Sequence, residues 1–502
     1  MKKKYISTTV FHSEQAEVLF TTLNYGMNIM DEYSQHDYYT LGNGYLAIKN
    51  IVNMSIRGVD NHTASKPSYT SEHAAEQITR TGKTWNGDHV YQQPATLTYS
   101  FLQNAAVTPA GDRGGFGFTA VQMEYAKRAM ALWAEVANVI FHEVDNDAGA
   151  NITFGNYTLD YYGNSAWSQA YAYLPGDYAA AGSTWYNYNQ DSVRYPDKHE
   201  YGQQTLNHEV GHALGLSHPG NYNAGNGSPT YQDAVYLEDS RQYSIMSYWS
   251  EYQTGGDNQG HYATGLLMDD IAAIQRLYGE NNTTRTGDTV YGFNANAGYD
   301  YLSITDPAST VRFCVWDAGG RDTLDFSGYL QDQRINLTAG TFSDVGGGRG
   351  NVSIAQGVTI ENAIGGHGND ILIGNDTHNQ LTAGAGNDIL YGGKGVDWLW
   401  GGEGKDIFVF SAAADSDPAH PDWIFDFNKD EDTIDLSGFR AEGGTPLHLV
   451  DILTGQAGEV WVGYDPQTQL TDLAINAQGN NGYYDFQVKI IGQVVPEVNL
   501  IV

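Results

Sequence analysis

Between Thr119 and Ala137, apolar residues recur at the spacing of one helical face, with Ala126, Met130, Trp133 and Ala137 forming a single line. Thr119, with Gln122 three places on, has the form of a capping box, so a helix is expected to start there. A shorter helix is expected over Ser71 to Ile78, with Ser71 capping its start and Pro67 barring helix upstream. The rest of Thr22 to Asn86 shows mixed patterning. Strand-like runs follow at 139–141, 151–154, 169–174 and 183–186, and these predict one twisted sheet. Asp269 to Gly279, with acids at its start and glycine at its end, predicts a helix that closes this mixed α+β half.

Asn281 to Gly287 reads as a linker, after which glycine and aspartate rise, helix signals vanish and short β-branched or aromatic runs take over. A nine-residue repeat starts at Gly365. Leu372, Leu381, Leu390, Leu399 and Phe408 are nine apart, as are Asp370, Asn379, Asp388, Asp397 and Asp406. Glycine permits tight turns and leaves carbonyls free as hard oxygen ligands, and aspartate adds charge, the combination that calcium selects. The pattern G-G-x-G-x-D-x-U-x resembles the RTX repeat, which implies a parallel β-roll with calcium between successive turns and the apolar residue pointing inward. Its expected ligands are Gly366, Gly368 and Asp370; Gly384, Gly386 and Asp388; Gly393, Gly395 and Asp397; and Gly402, Gly404 and Asp406. The unit from Gly374 to Thr382 is degenerate, with Asn379 in place of the aspartate. Beyond Phe410 an antiparallel β cap is expected.

Charge narrows the function classes. A net charge of −34 over 502 residues repels nucleic acid and anionic membranes, and it leaves many carboxylates in need of cations. The single cysteine, Cys314, excludes an internal disulfide and is expected to fill a strand interior. The first twenty residues begin with lysines but lack the apolar core of a Sec signal, and no run of 18 apolar residues predicts a membrane span.

The chemistry concentrates in His208-Glu209-Val210-Gly211-His212-Ala213-Leu214-Gly215-Leu216-Ser217-His218. His208 and His212, four apart on a helix, reach one metal ion from the same side. Gly215 can leave the helix through a positive φ and bring His218 round as a third nitrogen ligand. Three protein ligands leave a zinc position open for water, and Glu209 is the candidate general base. The form H-E-x-x-H-x-x-G-x-x-H, with Met246 in Ser244-Ile245-Met246-Ser247-Tyr248, resembles the zinc helix and Met-turn of the metzincins. Pro219 and Gly220 after the third histidine narrow the resemblance to the serralysins, secreted alkaline proteases of Gram-negative bacteria.

That resemblance implies a zinc endopeptidase acting on protein and peptide substrates. Met246 would floor the metal, and Tyr248 would be both a zinc ligand and the residue that steadies the oxyanion. Substrate would add as a strand beside Ala170 to Leu174. Further calcium positions are implied at Arg285, Gly287 and Thr289, at Asp317, Gly319 and Asp322, and at Thr359 and Glu361. The expected division is a propeptide over about 1–22, a protease domain over 23–280, and a calcium-binding roll with secretion signal over 281–502. A type I exporter, reading an acid and three apolar residues at the C-terminus, is the implied route out of the cell. Here Asn499 stands where the acid is expected, before Leu500-Ile501-Val502. A small protein inhibitor is a further implied partner, and a monomer is expected. The competing reading is a calcium-dependent RTX surface or adhesion protein whose zinc motif is inert.

Overall fold

The N-terminal half is built on one six-stranded sheet. Its strands are β1 (Ile6–Thr8), β2 (Ala95–Phe101), β3 (Val139–Glu143), β4 (Ile152–Tyr157), β5 (Ala170–Ala172) and β6 (Ser183–Asn187), in the spatial order β1-β5-β6-β4-β2-β3. The neighbours from β6 to β3 are parallel, whereas β5 is antiparallel to β6. The strand expected at the edge is present as Ala170–Ala172 but lies one place in, because the chain's own Ile6–Thr8 pairs outside it, antiparallel, with Ile6 opposite Ala172 and Thr8 opposite Ala170. The computed structural model describes residues 6–8, 44–59, 66–103, 107–145, 149–223, 227–479 and 483–502. Apart from Ile6–Thr8, the leader expected over 1–22 lies outside the described residues.

The longer helices beside this sheet are α1 (Ser71–Ile78), α2 (Ala120–Val136), α3 (Glu200–Leu214) and α4 (Met268–Tyr278). The capping box of α2 forms as its sequence predicts, with Thr119 and Gln122 bonded reciprocally. Its buried line of Ala126, Met130 and Trp133 packs on α3, where Trp133 Nε1 donates to the Asn207 carbonyl at 3.0 Å. α1 is capped one residue earlier than expected. Thr70 Oγ1 accepts from the His73 amide at 3.2 Å, while the Ser71 hydroxyl accepts from Arg57 instead. Arg57 also makes a two-pronged ion pair with the fully buried Asp269 at the start of α4, with distances of 2.8 and 2.9 Å. That pairing ties the approach to α1 to the helix that supports the Met-turn.

By their contacts, Arg57–Thr284 and Arg312–Ala318 form one unit, and Arg285–Val311 with Gly319–Val502 form the other, which also takes the helix Gly44–Met54. Cys314 is buried in the strand Phe313–Val315, as expected.

The second unit is a parallel roll of two facing ladders. Arg334–Asn336, Ile371–Ile373, Ile389–Tyr391, Ile407–Val409 and Thr433–Asp435 form one; Thr323–Asp325, Asn362–Ile364, Gln380–Ala385, Trp398–Glu403 and Asp422–Ile424 form the other. Successive nine-residue units alternate between ladders, so Leu372 pairs with Leu390 and Leu381 with Leu399. Leu372, Leu381, Leu390, Leu399 and Phe408 are all fully buried between them. The opposite face of the first ladder is apolar as well, because Ala47, Ile48 and Ile51 of the Gly44–Met54 helix cover Ile371, Ile389 and Ile407. The antiparallel part is shorter than the sequence pattern suggests. It comprises Glu459–Asp465, Leu470–Asn476 and Phe486–Ile491, while the parallel roll itself runs on past Phe410 and closes with Leu500–Ile501 against Ile434–Asp435.

Candidate metal centre and glycine-rich turns

α3 is buried along nearly its whole length, and Gly215 ends it in a left-handed conformation with φ +118°. The Gly215 amide reaches back to Gly211 and His212, and a Cβ there would strike the Lys83 carbonyl, so the turn requires glycine. The chain leaves this turn with His218 pointing back at the helix. His208 Nε2 and His212 Nε2 each lie 3.2 Å from His218 Nε2. Tetrahedral zinc with Zn–N of about 2.0–2.1 Å separates two nitrogens by roughly 3.3 Å, so the triad fits the ion closely.

Each imidazole is oriented from behind. Nδ1 of His208 faces the Ile245 carbonyl at 2.8 Å, that of His212 the Leu216 carbonyl at 2.7 Å, and that of His218 the Tyr222 carbonyl at 3.1 Å. A carbonyl accepts only from N–H, which fixes the tautomer and leaves every Nε2 lone pair for metal. Burial pushes the His208 pKa down to about 4, and it drives His212 and His218 well below the usual range, with mutual repulsion adding to the effect. All three are therefore neutral, the ligating form. Glu209 is fully buried beside His208.

The Met-turn is held by a residue that the motif does not contain. Asp270 accepts from the Ser244 hydroxyl at 2.6 Å, the Ile245 amide at 2.9 Å and the Leu267 amide at 2.9 Å, so it anchors Ile245, the residue whose carbonyl orients His208. Burial raises its carboxyl to about 7. Met246 is fully buried, and Gly211 of α3 is wedged between its sulfur and Trp133, where a Cβ would lie 2.8 and 2.9 Å from them. Tyr248 places its ring 4.4 Å from that of His218 and lines a cavity of about 560 Å³ together with His208, Trp167, Tyr201, Arg241 and Trp249. Behind His218, Tyr222 donates to Asp239 at 2.8 Å, and Ser247 donates to the same carboxylate at 2.7 Å. Sequence reading missed Asp239, Asp270, Tyr222 and Arg241, because their roles depend on contacts spanning from four to twenty-six residues that no local spacing displays.

In the roll, the predicted aspartates form a ladder at 18-residue steps. The amide of Asp370 donates to Asp388 Oδ1, Asp388 to Asp406, and Asn379 to Asp397, at 2.7 to 2.9 Å. The ladder continues to Asp422 and Asp432 after steps of 25 and 26 residues. These two escaped the repeat because the segment around 411–421 breaks its phase. The second oxygens of Asp388, Asp397, Asp406 and Asp422 are buried without a hydrogen-bond partner, and burial raises these carboxyls to between about 7 and 9. Gly402 and Gly404 stack directly on the carbonyls of Gly384 and Gly386, leaving no room for a Cβ. Orphaned carboxylate oxygens beside stacked carbonyls are the donor set of a hard divalent cation. Of the other predicted positions, Thr289, Asp322 and Glu361 come together. The Thr289 amide donates to Asp322 at 2.8 Å and the Asp322 amide to Glu361 at 2.7 Å, while Gly287 accepts from the Thr289 hydroxyl. Arg285 adopts φ +49°, Asp317 is buried, Gly319 takes φ +133°, and Thr359 is exposed.

Comparison with known proteins agrees with this geometry. Residues 91–235 match the Matrixin family model, and residues 280–502 match the model described as Peptidase M10 serralysin C terminal. Serralysin C of Dickeya chrysanthemi is 53% identical over 94% of this chain and 98% of its own length. Serralysin A of the same organism is 54% identical over 91% and 96%, and Metallopeptidase AprA of Pseudomonas marginalis is 49% identical over 89% and 94%. A catalytic domain with a converging histidine triad, followed by a parallel β-roll and matched along nearly its whole length, places this chain in the serralysin family of zinc metalloproteases.

Proposed function

We propose that this zinc metalloendopeptidase cleaves peptide bonds with His208, His212 and His218 as metal ligands, Glu209 as general base and Tyr248 as oxyanion donor. The observation that carries the reading is the convergence of three Nε2 atoms whose rings are each fixed by a carbonyl behind them. When bound, zinc supplies Lewis acidity that lowers the pKa of a coordinated water to about 7 and polarises the scissile carbonyl. Glu209 accepts the proton of the attacking water and passes it to the leaving nitrogen. The Tyr248 hydroxyl donates to the oxygen on which charge develops. Extended substrate adds beside Ala170–Ala172. The position that Ile6–Thr8 takes there supports the reading of about the first 22 residues as a propeptide, ahead of a protease domain to about 280 and a roll over 281–502.

The roll binds calcium through its stacked glycine carbonyls and aspartates, and the protein leaves the cell unfolded through a type I exporter. Among the described residues, no helix is long and apolar enough to cross a membrane. An inert zinc site on an adhesion protein has no use for a carboxylate buried beside the triad. Casein digestion separates the two readings. It is expected to stop on chelation and resume with zinc, and Glu209→Ala is expected to retain zinc while hydrolysis falls by at least a few hundred-fold, since a general base contributes roughly 10²–10⁴. Normal turnover in that variant contradicts the mechanism.

A further inference from the structure

The cavity beside the triad has one formally charged side chain among its lining residues, Arg241, in a chain whose net charge is −34. Its guanidinium lies over the Tyr262 ring at 5.1 Å, and Nε is buried with no hydrogen-bond partner. No carboxylate lies within ion-pair distance of it among the described residues, although the chain has 59 acidic residues against 25 basic ones. Arg312 is also buried in this unit and close enough for its charge to repel that of Arg241. One further polar atom of the cavity wall is buried without a partner, Oε1 of Gln204, a residue only 5% exposed.

We infer that Arg241 is a specificity-determining residue that receives an acidic side chain of the substrate at one fixed position flanking the scissile bond. This rests on the protease reading given above and names its substrate class. Buried donors left unsatisfied gain most from an ionised acceptor, and a guanidinium can take both carboxylate oxygens at once. The acidic surface as a whole disfavours acidic peptides, but that repulsion is screened beyond about 8 Å at physiological salt, whereas contact inside the cavity is not. Gln204 can present its amide nitrogen as a second donor after a half-turn.

The test uses the full-length, zinc- and calcium-loaded protein in two steps. A peptide-library digest is expected to show Asp and Glu enriched at one position near the cut. Paired peptides differing only by Asp or Asn at that position are then compared by kcat/KM, with a ratio of about tenfold expected for the native chain. Arg241→Gln is expected to bring the ratio close to one, and Arg241→Glu to invert it in favour of Asn. A merely structural role for Arg241 would slow both peptides alike and leave the ratio unchanged. Cleavage with no acidic enrichment, or a ratio that survives Arg241→Gln, overturns the inference. Absence of any chelator-sensitive cleavage by the native chain instead overturns the protease reading beneath it.

Discussion

Tyr248 packs on His218, and Asp239 holds Tyr222, whose carbonyl faces the same histidine, so their substitutions separate chemistry from support. Tyr248→Phe keeps the ring that packs 4.4 Å from His218 and removes only the hydroxyl. The expected loss is smaller than for Glu209→Ala and falls mainly on kcat, because a group acting in the transition state leaves ground-state binding alone. Steady-state kinetics on a single peptide check this, and a change confined to KM contradicts the role. Asp239 is fully buried, and burial raises its carboxyl to about 6 against the lowering effect of the Ser247 and Tyr222 hydroxyls. Its folded pKa exceeds its unfolded one, so its contribution to stability is present below about pH 4 and is lost as pH rises through 6. Relative to the native chain, Asp239→Asn is therefore expected to gain stability across that window, by up to about 3 kcal/mol. Thermal unfolding of both proteins from pH 4 to 7.5 measures the difference.

At the scale of elements, legibility in the sequence followed exposure. α2 has one wet and one dry face, so its apolar line and capping box both showed. α3 is buried from Gly202 to Leu214 with glutamines, asparagine and histidines on its surface, and it was legible only through its metal chemistry. The Gly44–Met54 helix was not read, since its partner is a sheet more than 300 residues away that no local pattern reveals. The aspartate ladder of the roll was legible wherever the nine-residue phase held and lost where it broke, at Asp422 and Asp432. Its buried carboxylates make a prediction about the ladder as a unit. Without metal, the orphaned oxygens of Asp388, Asp397 and Asp406 lie uncompensated on neighbouring turns, so chelation is expected to open the strands between 365 and 410. Hydrogen exchange on the full chain should show fast amides there in EGTA and protection in millimolar calcium, with zinc unable to substitute. Full protection in EGTA would mean that the turns close without metal.

For the molecule as a whole, Asn499 stands both in the segment expected to carry a secretion signal and in the folded structure. Its side chain is buried, donating to the carbonyls of Lys429 at 2.8 Å and Asp432 at 2.9 Å and accepting from the Val495 amide at 2.9 Å. The sequence marks Asn499 as a departure from the acid expected there; the fold uses its amide as a donor to two acceptors, which an ionised acid cannot match. Asn499→Asp is thus expected to cost about 1–3 kcal/mol, seen as a lower melting temperature in saturating calcium. The next two residues, Leu500 and Ile501, are the final rung of the roll, docked along Ile434 and Asp435. On the proposed type I route, an exporter that gripped 499–501 as extended chain would be holding the same atoms that later serve as a latch. Folding on the far side of the membrane would then withdraw that grip without any separate release step. Backward slippage would first have to unzip the closing rung, so under that proposal the roll would work as a ratchet whose last tooth is the address itself.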